Sequence, residues 1–379
     1  MSRSIVHFDM DTFFVSVEIK NDSSLKGKPV LIGGSSDRAV VSSCSYEARS
    51  FGVSSGMPMK QALRLCPQAL IRRGDMELYS KESEQITQII LDQAPLSEKA
   101  SIDEHYLDVS GMDKWIGTVQ WIKALRMKII KESGLPISCG FSINKSVAKV
   151  ATGVAKPNNE KWVQLGAEKV FLAPLPVRKI PGVGPEMSKD LAIRGVRQIA
   201  QLQALTPDFM LATFNKPGVA AWEKANAIDD APVIPYREQK SISKEETFQV
   251  DTTDVDFLRR KLMVMISHLA FDLREQQKLT ACITVKIKYS DMNTHTRDAS
   301  IPYTSLDDVL IQKAVELFNK LYDRRMLVRL IGVKLSKFVS GSYQIDLFAD
   351  TGTNLNLYHT LDSIRKRYGF DAVMKASIL

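Results

Sequence analysis

The chain opens on a short apolar run, residues 5–9, that alternates little and predicts a strand covered on both faces. Residues 13–18 predict a short helix ending before Asn21, and 30–32 a strand entered from the turn Gly27-Lys28-Pro29. Gly33 to Ser36 reads as a bend, 39–43 as a third strand, and 45–49 as a helix start. Residues 58–65 predict a short helix with proline near its first turn. Two longer segments, 76–93 and 115–132, carry apolar residues at helical spacing: Leu78, Ile86, Ile89 and Ile90 in the first, Ile122, Leu125 and Ile129 in the second. Between them lies an acidic hairpin, 101–108. A strand over 137–141 and a helix over 145–155 complete a unit in which strands and helices alternate.

Pro174 and Pro176 then mark a boundary, and short helices are expected over 185–194, 196–203, 207–213 and 219–228. Pro232, Pro235 and the polar run Arg237-Glu238-Gln239-Lys240 read as a tether. Beyond it the order is strand (240–248), helix (254–276), two strands (280–289, 297–303), helix (305–322) and strand (328–338), the split βαβ arrangement. In the 280–289 strand, Ala281, Ile283, Val285, Ile287 and Tyr289 share one face and Thr284, Lys286 and Lys288 the other. With both helices on the apolar face, a polar, basic sheet face is left open. No internal repeat or low-complexity tract is present.

Composition narrows this picture only a little. The 379 residues are 44% hydrophobic, enough for two to four compact units. Fifty-one basic against 43 acidic residues give a net charge of +8, a modest hint of a polyanionic partner. Cys44, Cys66, Cys139 and Cys282 lie far apart without a Cys-x-x-Cys pair, which argues against a disulfide framework or a zinc site and for a reducing compartment. The first strand begins within five residues, leaving no room for a signal peptide, and no apolar run approaches membrane-spanning length. A soluble intracellular protein is expected.

Candidate chemistry changes the picture more. Asp103 and Glu104 stand side by side in the acidic hairpin, and Asp9 ends the first strand. Neighbouring half-buried carboxylates repel, and each tends to stay protonated unless a cation neutralises them. A hard divalent metal does so through carboxylate oxygens. A lone Asp-Glu pair at a hairpin tip is ordinarily solvated turn chemistry. The joint pattern is different: if the two strands lie side by side, three carboxylates converge as in a two-metal phosphoryl-transfer centre. Asp11 and Asp108 are read as structural. Tyr46, Arg49 and Lys156, each ordinary on a surface, could together hold a triphosphate. No Gly-x-x-x-x-Gly-Lys-Ser/Thr loop is present, which excludes a P-loop nucleotidase. Pro181-Gly182-Val183-Gly184 between short helices reads as a helix-hairpin-helix offering backbone N–H groups to nucleic-acid phosphate, with a plain tight turn as the alternative. Gln344-Ile345-Asp346-Leu347-Phe348 could anchor in a partner's apolar pocket.

Taken in order, His7-Phe8-Asp9-Met10-Asp11-Thr12-Phe13-Phe14, Ser45 through Val53, Ser101-Ile102-Asp103-Glu104, Lys149 with Ala155-Lys156-Pro157-Asn158, and Pro181-Gly182-Val183-Gly184 resemble the Y-family translesion DNA polymerases, nearest the bacterial DNA polymerase IV (DinB) type. The resemblance runs from Ile5 to about Phe338. It implies an α+β multidomain right hand: palm (1–10 and 76–166), small fingers (11–75), helical thumb (167–235), linker (236–240), a β-α-β-β-α-β little finger (241–340), and a clamp-binding peptide with C-terminal tail (341–379). It also implies that Asp9, Asp103, Glu104 and the Met10 main-chain carbonyl bind two Mg²⁺ ions. Phe14 matches the steric gate against a ribose 2′-hydroxyl. Phe13, Ser43, Tyr46, Arg49 and Lys156 would surround the incoming nucleotide. Gly182, Gly184, Lys286 and Lys288 would meet DNA, and Gln344, Leu347 and Phe348 the bacterial sliding clamp.

The implied partners are primer-template DNA and deoxynucleoside triphosphates, for a cytoplasmic, nucleoid-associated bacterial monomer without a membrane. Short fingers roofed by Ser42 and Ser43 imply lesion tolerance and low fidelity. The sequence departs from the family pattern at His105, where alanine is usual, and at Asn159, where glycine is. His105 is expected to face away from its acidic neighbours, because successive strand residues alternate sides. Two rival classes share parts of this pattern. A two-metal nuclease would use the same carboxylates without needing Phe14 or a triphosphate-binding trio. A non-catalytic DNA-binding protein would need only the hairpin and the basic sheet.

Overall fold

The computed structural model describes residues 3–36, 38–112, 117–322, 326–341 and 351–374, with the side chains of 351–355 left aside. The chain divides into two compact units, Met1–Arg237 and Glu238–Leu379.

In the first unit, strand β1 (Ile5–Met10) is buried almost throughout, as its unbroken apolar run requires. Thr12, in the left-handed region at φ 42°, turns the chain into helix α1 (Phe13–Asn21). A small module follows: β2 (Val30–Ile32), β3 (Ser43–Cys44), α2 (Tyr46–Ser50), α3 (Met59–Leu65) and β4 (Leu70–Arg72), its three strands ordered β3-β2-β4. The strand expected over 39–43 is not formed. Its backbone bonds a neighbouring loop instead, Val41 N–H to the Met57 carbonyl and Met59 N–H to that of Ala39, so only Ser43 and Cys44 join β2. Then come α4 (Met76–Leu91), β5 (Ser97–Lys99), β6 (Glu104–Asp108), α5 (Thr118–Ser133), β7 (Ile137–Ser142), α6 (Lys145–Ala155) and β8 (Glu160–Trp162). The expected start of α5 at Trp115 lies outside the described residues.

The sheet order β5-β6-β1-β7-β8 puts β1 at the centre, antiparallel to β6 and β7. One core joins β1, α1, α4, α5 and β7 through Phe8, Val15, Tyr79, Ile86, Ile122 and Ile137. Helix α6, capped by the Asn144 side chain accepting from Val147 N–H, lies tightly on β7 at Gly140, where any Cβ would meet the Ala148 carbonyl and the Thr152 nitrogen. That close approach is what makes residue 140 a glycine.

Helices α7 (Glu168–Leu172), α8 (Pro185–Ile193), α9 (Ile199–Gln203) and α10 (Pro207–Ala225) finish the unit. Helix α9 starts three residues later than expected, because the Arg197 carbonyl accepts Val177 N–H and a Gln198–Gln201 capping box opens the helix at Ile199. Helix α10 is broken at Asn215, φ 55°, two residues before Pro217, close to the gap expected between two helices.

The second unit contains β9 (Ser241–Thr252), α11 (Val255–Glu275), β10 (Lys278–Tyr289), β11 (Thr294–Thr304), α12 (Asp307–Leu321), β12 (Val328–Ser340) and α13 (Thr351–Tyr368). Its sheet order is β11-β10-β12-β9, all neighbours antiparallel. Ile283, Val285, Ile287 and Tyr289 pack with Leu258, Leu269, Leu310 and Phe318 in one core. Ala281 does not join them, because a register irregularity between Thr280 and Cys282 interrupts the alternation. The open face is less basic than expected. Pairing places Glu245 and Asp298 on it beside Lys286, Lys288 and Lys334, and Lys286 is bonded to Glu245.

Candidate active site

The antiparallel pairing of β1 with β6 sets Asp9 opposite Glu104, and Met10 N–H donates to the Asp103 carbonyl at 3.0 Å. The two acidic motifs, with Asp9 and Asp103 ninety-four residues apart, therefore meet on adjacent strands. Each carboxylate is turned to its own neighbour. Lys156 Nζ donates to Asp9 at 2.5 Å, Lys149 Nζ to both oxygens of Glu104 at 2.6 and 2.5 Å, and Ser101 Oγ to Asp103 at 2.6 Å. In this arrangement no three His, Cys, Asp or Glu side chains among the described residues gather closely enough to hold one ion.

Asp9 and Glu104 are shifted in opposite directions. Burial, opposed by Lys156 and reinforced by the charges of Glu104 and Asp103, pushes the Asp9 carboxyl up to about 7. Burial also acts to raise Glu104, but His7 and Lys149 outweigh it and bring that carboxyl to about 2. His7 is fully buried and holds Thr152 through Nδ1 at 2.8 Å, while its Nε2 lies 3.8 Å from Glu104. Burial lowers the His7 pKa below the usual histidine value. His105 points to the other side of the strand, where Thr87 Oγ1 meets its Nε2 at 3.1 Å, and burial brings it down to about 4.

Asp11, read from sequence as structural, is a buried hub. It accepts from Tyr46 Oη at 3.2 Å, Ser138 Oγ at 2.8 Å and Asn158 N–H at 2.6 Å. It thereby ties the small module to the sheet and to the loop carrying Lys156. Burial pushes the Tyr46 phenol above its usual range, so it stays protonated and donates. Arg49 lies over the Tyr46 ring, 5.1 Å from its centroid.

Next to this hub is a cavity of about 130 Å³ lined by Met10, Phe13, Phe14, Ser43, Arg49, Asp103 and Lys156, together with Thr12, Ser42 and Ser55. Eight residues singled out from sequence, Ser42 among them, thus surround one space. Tyr46, Asp9 and Glu104 are not among the residues that line it. Phe14 is stacked on Tyr79 (centroids 4.4 Å, planes 13° apart), which fixes its ring. Tyr79, Asp11, Lys149 and His7 were not among the expected site residues, although Asp11, Lys149 and His7 lie within the motifs that carried the resemblance.

The remaining expected residues lie elsewhere. Gly182, at φ 101°, and Gly184, which precedes α8, form the turn before that helix, and Lys224 Nζ donates to the Pro181 carbonyl at 3.1 Å. Lys286 and Lys288 are on the second unit's sheet. Gln344, Leu347 and Phe348 lie outside the described residues.

Two family models match the sequence: the impB/mucB/samB family over residues 8–153 and that family's C-terminal domain over 239–347. A protein named DNA polymerase IV from Dehalococcoides mccartyi is 37% identical over 98% of this chain and 96% of its own length. The chain belongs to the Y-family of DNA polymerases. Another relative, named DNA polymerase IV, from Methanoculleus marisnigri, is 36% identical over 90% of this chain and 96% of its own. Among solved structures, a Y-family DNA polymerase chimera built on Dbh shares the fold with a TM-score of 0.81 at 24% identity, covering 89% of this chain and all of that one. An insertion ternary complex of Dbh DNA polymerase gives 0.64 at 25% identity over the same shares. Among the described residues no helix is long and apolar enough to cross a membrane.

Proposed function

We propose that this chain is a template-directed DNA polymerase that adds deoxynucleotides to a primer 3′ end by two-metal phosphoryl transfer, specialised for low-fidelity synthesis past damaged bases. The observation that carries the reading is the single cavity joining Phe14, Arg49, Lys156 and Asp103 beside the Asp9–Glu104 strand pair. In this reading β1, β5 to β8 and α4 to α6 form the palm, the 11–75 module the fingers, residues 167–235 the thumb, and the second unit's split βαβ layer the little finger.

The acidic residues fit magnesium. Asp9 is held up near 7 by burial and by its two acidic neighbours, a repulsion that a hard divalent cation relieves. Asp9, Asp103, Glu104 and the Met10 carbonyl would hold two such ions. Bound there, magnesium supplies a lowered pKa for the primer hydroxyl and neutralises charge on the triphosphate. The rest is positioning by the chain itself. Lys156 would pass from Asp9 to the triphosphate, with Arg49 gripping it as a planar fork and Tyr46 held toward it by Asp11. The Phe14 ring, locked on Tyr79, would occupy the place of a ribose 2′-hydroxyl. Short fingers, with Ser42 and Ser43 as a small-residue roof, would leave room for a damaged template base.

Primer-template DNA would run along the Gly182–Gly184 turn and the second unit's sheet, with Lys286 and Lys288 toward its phosphates. The segment Gln344 to Phe348 would hold a bacterial sliding clamp, and the polymerase would act as a cytoplasmic monomer. Primer extension with each deoxynucleotide, with and without Mg²⁺, tests the central reading: templated incorporation is expected, and primer degradation in Mg²⁺ without nucleotides would replace it with a nuclease. Extension past a minor-groove guanine adduct tests the specialisation; a complete stall, as in a high-fidelity enzyme, removes it. Loss of clamp-stimulated synthesis when Gln344, Leu347 and Phe348 become alanine tests the peptide. In Phe14→Val, ribonucleotide exclusion should fall about a hundredfold, the scale on which shape alone rejects a hydroxyl. Unchanged sugar selectivity removes the gate assignment.

A further inference from the structure

On the open face of the second unit's sheet, Glu245 of β9, Gly332 of β12 and Lys286 of β10 stand in one cross-strand row. Glu245 and Lys286 are therefore not neighbours; a whole strand separates them. Yet Lys286 Nζ donates to both Glu245 oxygens, at 3.0 and 2.9 Å. The pair closes because residue 332 has no side chain. A Cβ there would sit 2.6 Å from Glu245 Cγ and 3.3 Å from its Cβ. Bare backbone at that point is the channel through which the glutamate crosses.

Stability does not account for this arrangement. Both side chains are partly exposed, 32% for Lys286 and 39% for Glu245, and ion pairs of that kind contribute little. A glycine inside a strand weakens it. Lys288, two residues along on the same face, faces Leu330 and Thr294 and makes no ion pair among the described residues. Of two lysines turned to one side of the sheet, one is held by an internal carboxylate and the other is not.

We propose that Glu245 is a built-in competitor for phosphate at Lys286, so that an acid of this chain sets how tightly the sheet holds DNA. The inference rests on the reading that this face meets the DNA backbone. A phosphate contacting Lys286 must first displace a carboxylate already bonded to it, whereas a phosphate at Lys288 displaces only water and ions. Glu245 thus subtracts one electrostatic contact from the sheet, and Gly332 is the positioning residue that lets it do so.

The test is equilibrium binding of a fluorescein-labelled primer-template hairpin to the full chain, read by anisotropy across a KCl series. Each freed lysine–phosphate contact steepens the slope of log K against log salt by about 0.9. Glu245→Gln should therefore bind roughly five- to tenfold tighter at about 0.1 M salt, with the steeper slope. Gly332→Ala, which crowds Glu245 off its path, should move in the same direction. Lys286→Gln should weaken binding, and adding Glu245→Gln to it should tighten binding by much less than the same change does in the parent chain. Lys288→Gln should weaken binding equally in both Glu245 backgrounds. If Lys286→Gln and Lys288→Gln leave affinity and slope unchanged, the sheet does not meet DNA and both readings fall. If they weaken binding but Glu245→Gln does not tighten it, or tightens it as much without Lys286, the competitor role alone falls.

Discussion

Two clusters of charge, one in each unit, look alike on a contact list and behave as opposites. In the first unit, Asp9, Asp103 and Glu104 lie at or beside an open cavity, with Lys149 and Lys156 on flexible stems holding two of them. In the second, Arg274 donates to Asp362 through Nε and Nη2 at 2.6 and 2.9 Å and to Asp307 through Nη1 at 2.7 Å. Arg365 lies 3.6 Å from Asp362 and 3.9 Å from Asp307, and all four side chains are almost wholly buried. The forked guanidinium satisfies two carboxylates at once in fixed geometry. This second cluster joins α11 and α12 to α13. The first uses point-charge lysines that can let go, next to space for a ligand. Closed, forked charge is architecture; open, exchangeable charge is chemistry.

The comparison predicts opposite consequences for removing one member. Asp103→Ala or Glu104→Ala should lower primer-extension kcat/KM by at least about a thousandfold, roughly 4 kcal/mol of transition-state stabilisation. Melting temperature should hold in Asp103→Ala, which removes a repulsion on Asp9, and fall only modestly in Glu104→Ala, where a carboxylate held ionised by Lys149 and His7 is lost. Single-nucleotide insertion kinetics and a thermal melt on the same samples check both halves. A large loss of Tm with retained activity would invert the comparison.

In the second unit the order reverses. Arg274→Ala strands two buried carboxylates and should cost about 3–5 kcal/mol of that unit's stability. Arg274→Met and Arg365→Met combined with Asp307→Asn and Asp362→Leu should recover much of it, because apolar packing then replaces the whole desolvated network with little loss. Denaturant melts of the full chain read the difference, while nucleotide insertion at saturating DNA should change far less than in Asp103→Ala. A smaller effect is expected for Lys156→Met. It should raise the KM for nucleotide about tenfold, one charge-assisted contact of about 1.4 kcal/mol, with Tm nearly constant. A large drop in Tm would make Lys156 architectural, like Arg274.

The two clusters also differ in how far the sequence disclosed them. The acidic centre was legible because its members sit in compact motifs on strongly apolar strands, Ile5 to Phe8 and Tyr106 to Leu107, whose pairing brings the motifs together. The Asp11 hub was not, since a carboxylate at a strand end has the same local sequence whether it faces solvent or collects three donors. Nothing near Arg274, Asp307 or Asp362 marks them as partners, for 33 and 88 residues separate the bonded groups. The Glu245–Lys286 pair escaped for a related reason: period-two reading assigns faces, whereas this contact depends on which strand lies between. Strands β4 and β8, three residues each and paired parallel, are too short to show any period. Helices and strands with a full apolar face, α6 and α11 among them, fell close to where periodicity put them.

The smallest expected effect bears on how α13 and the turn after it are held, and it turns on His268. Its ring stacks on Phe370, centroids 3.5 Å apart, and Arg365 lies over the other ring at 4.4 Å from its centroid. Burial, with Lys244 and Arg365 adding to it against Asp371, brings His268 down to about 4. An unfolded histidine takes its proton near pH 6.5. Between those values the unfolded chain binds more protons than the folded one, so stability rises with pH across the window and is lost as pH falls through it. The second unit should therefore melt progressively earlier from about pH 6.5 down to about 4. His268→Phe, which keeps a ring against Phe370 but cannot titrate, should flatten that part of the profile relative to the parent chain. Carboxylates elsewhere contribute equally to both proteins, so the difference between the two melting profiles isolates His268. Superimposable profiles would mean that the His268 ring takes no part in the pH dependence of this unit's stability.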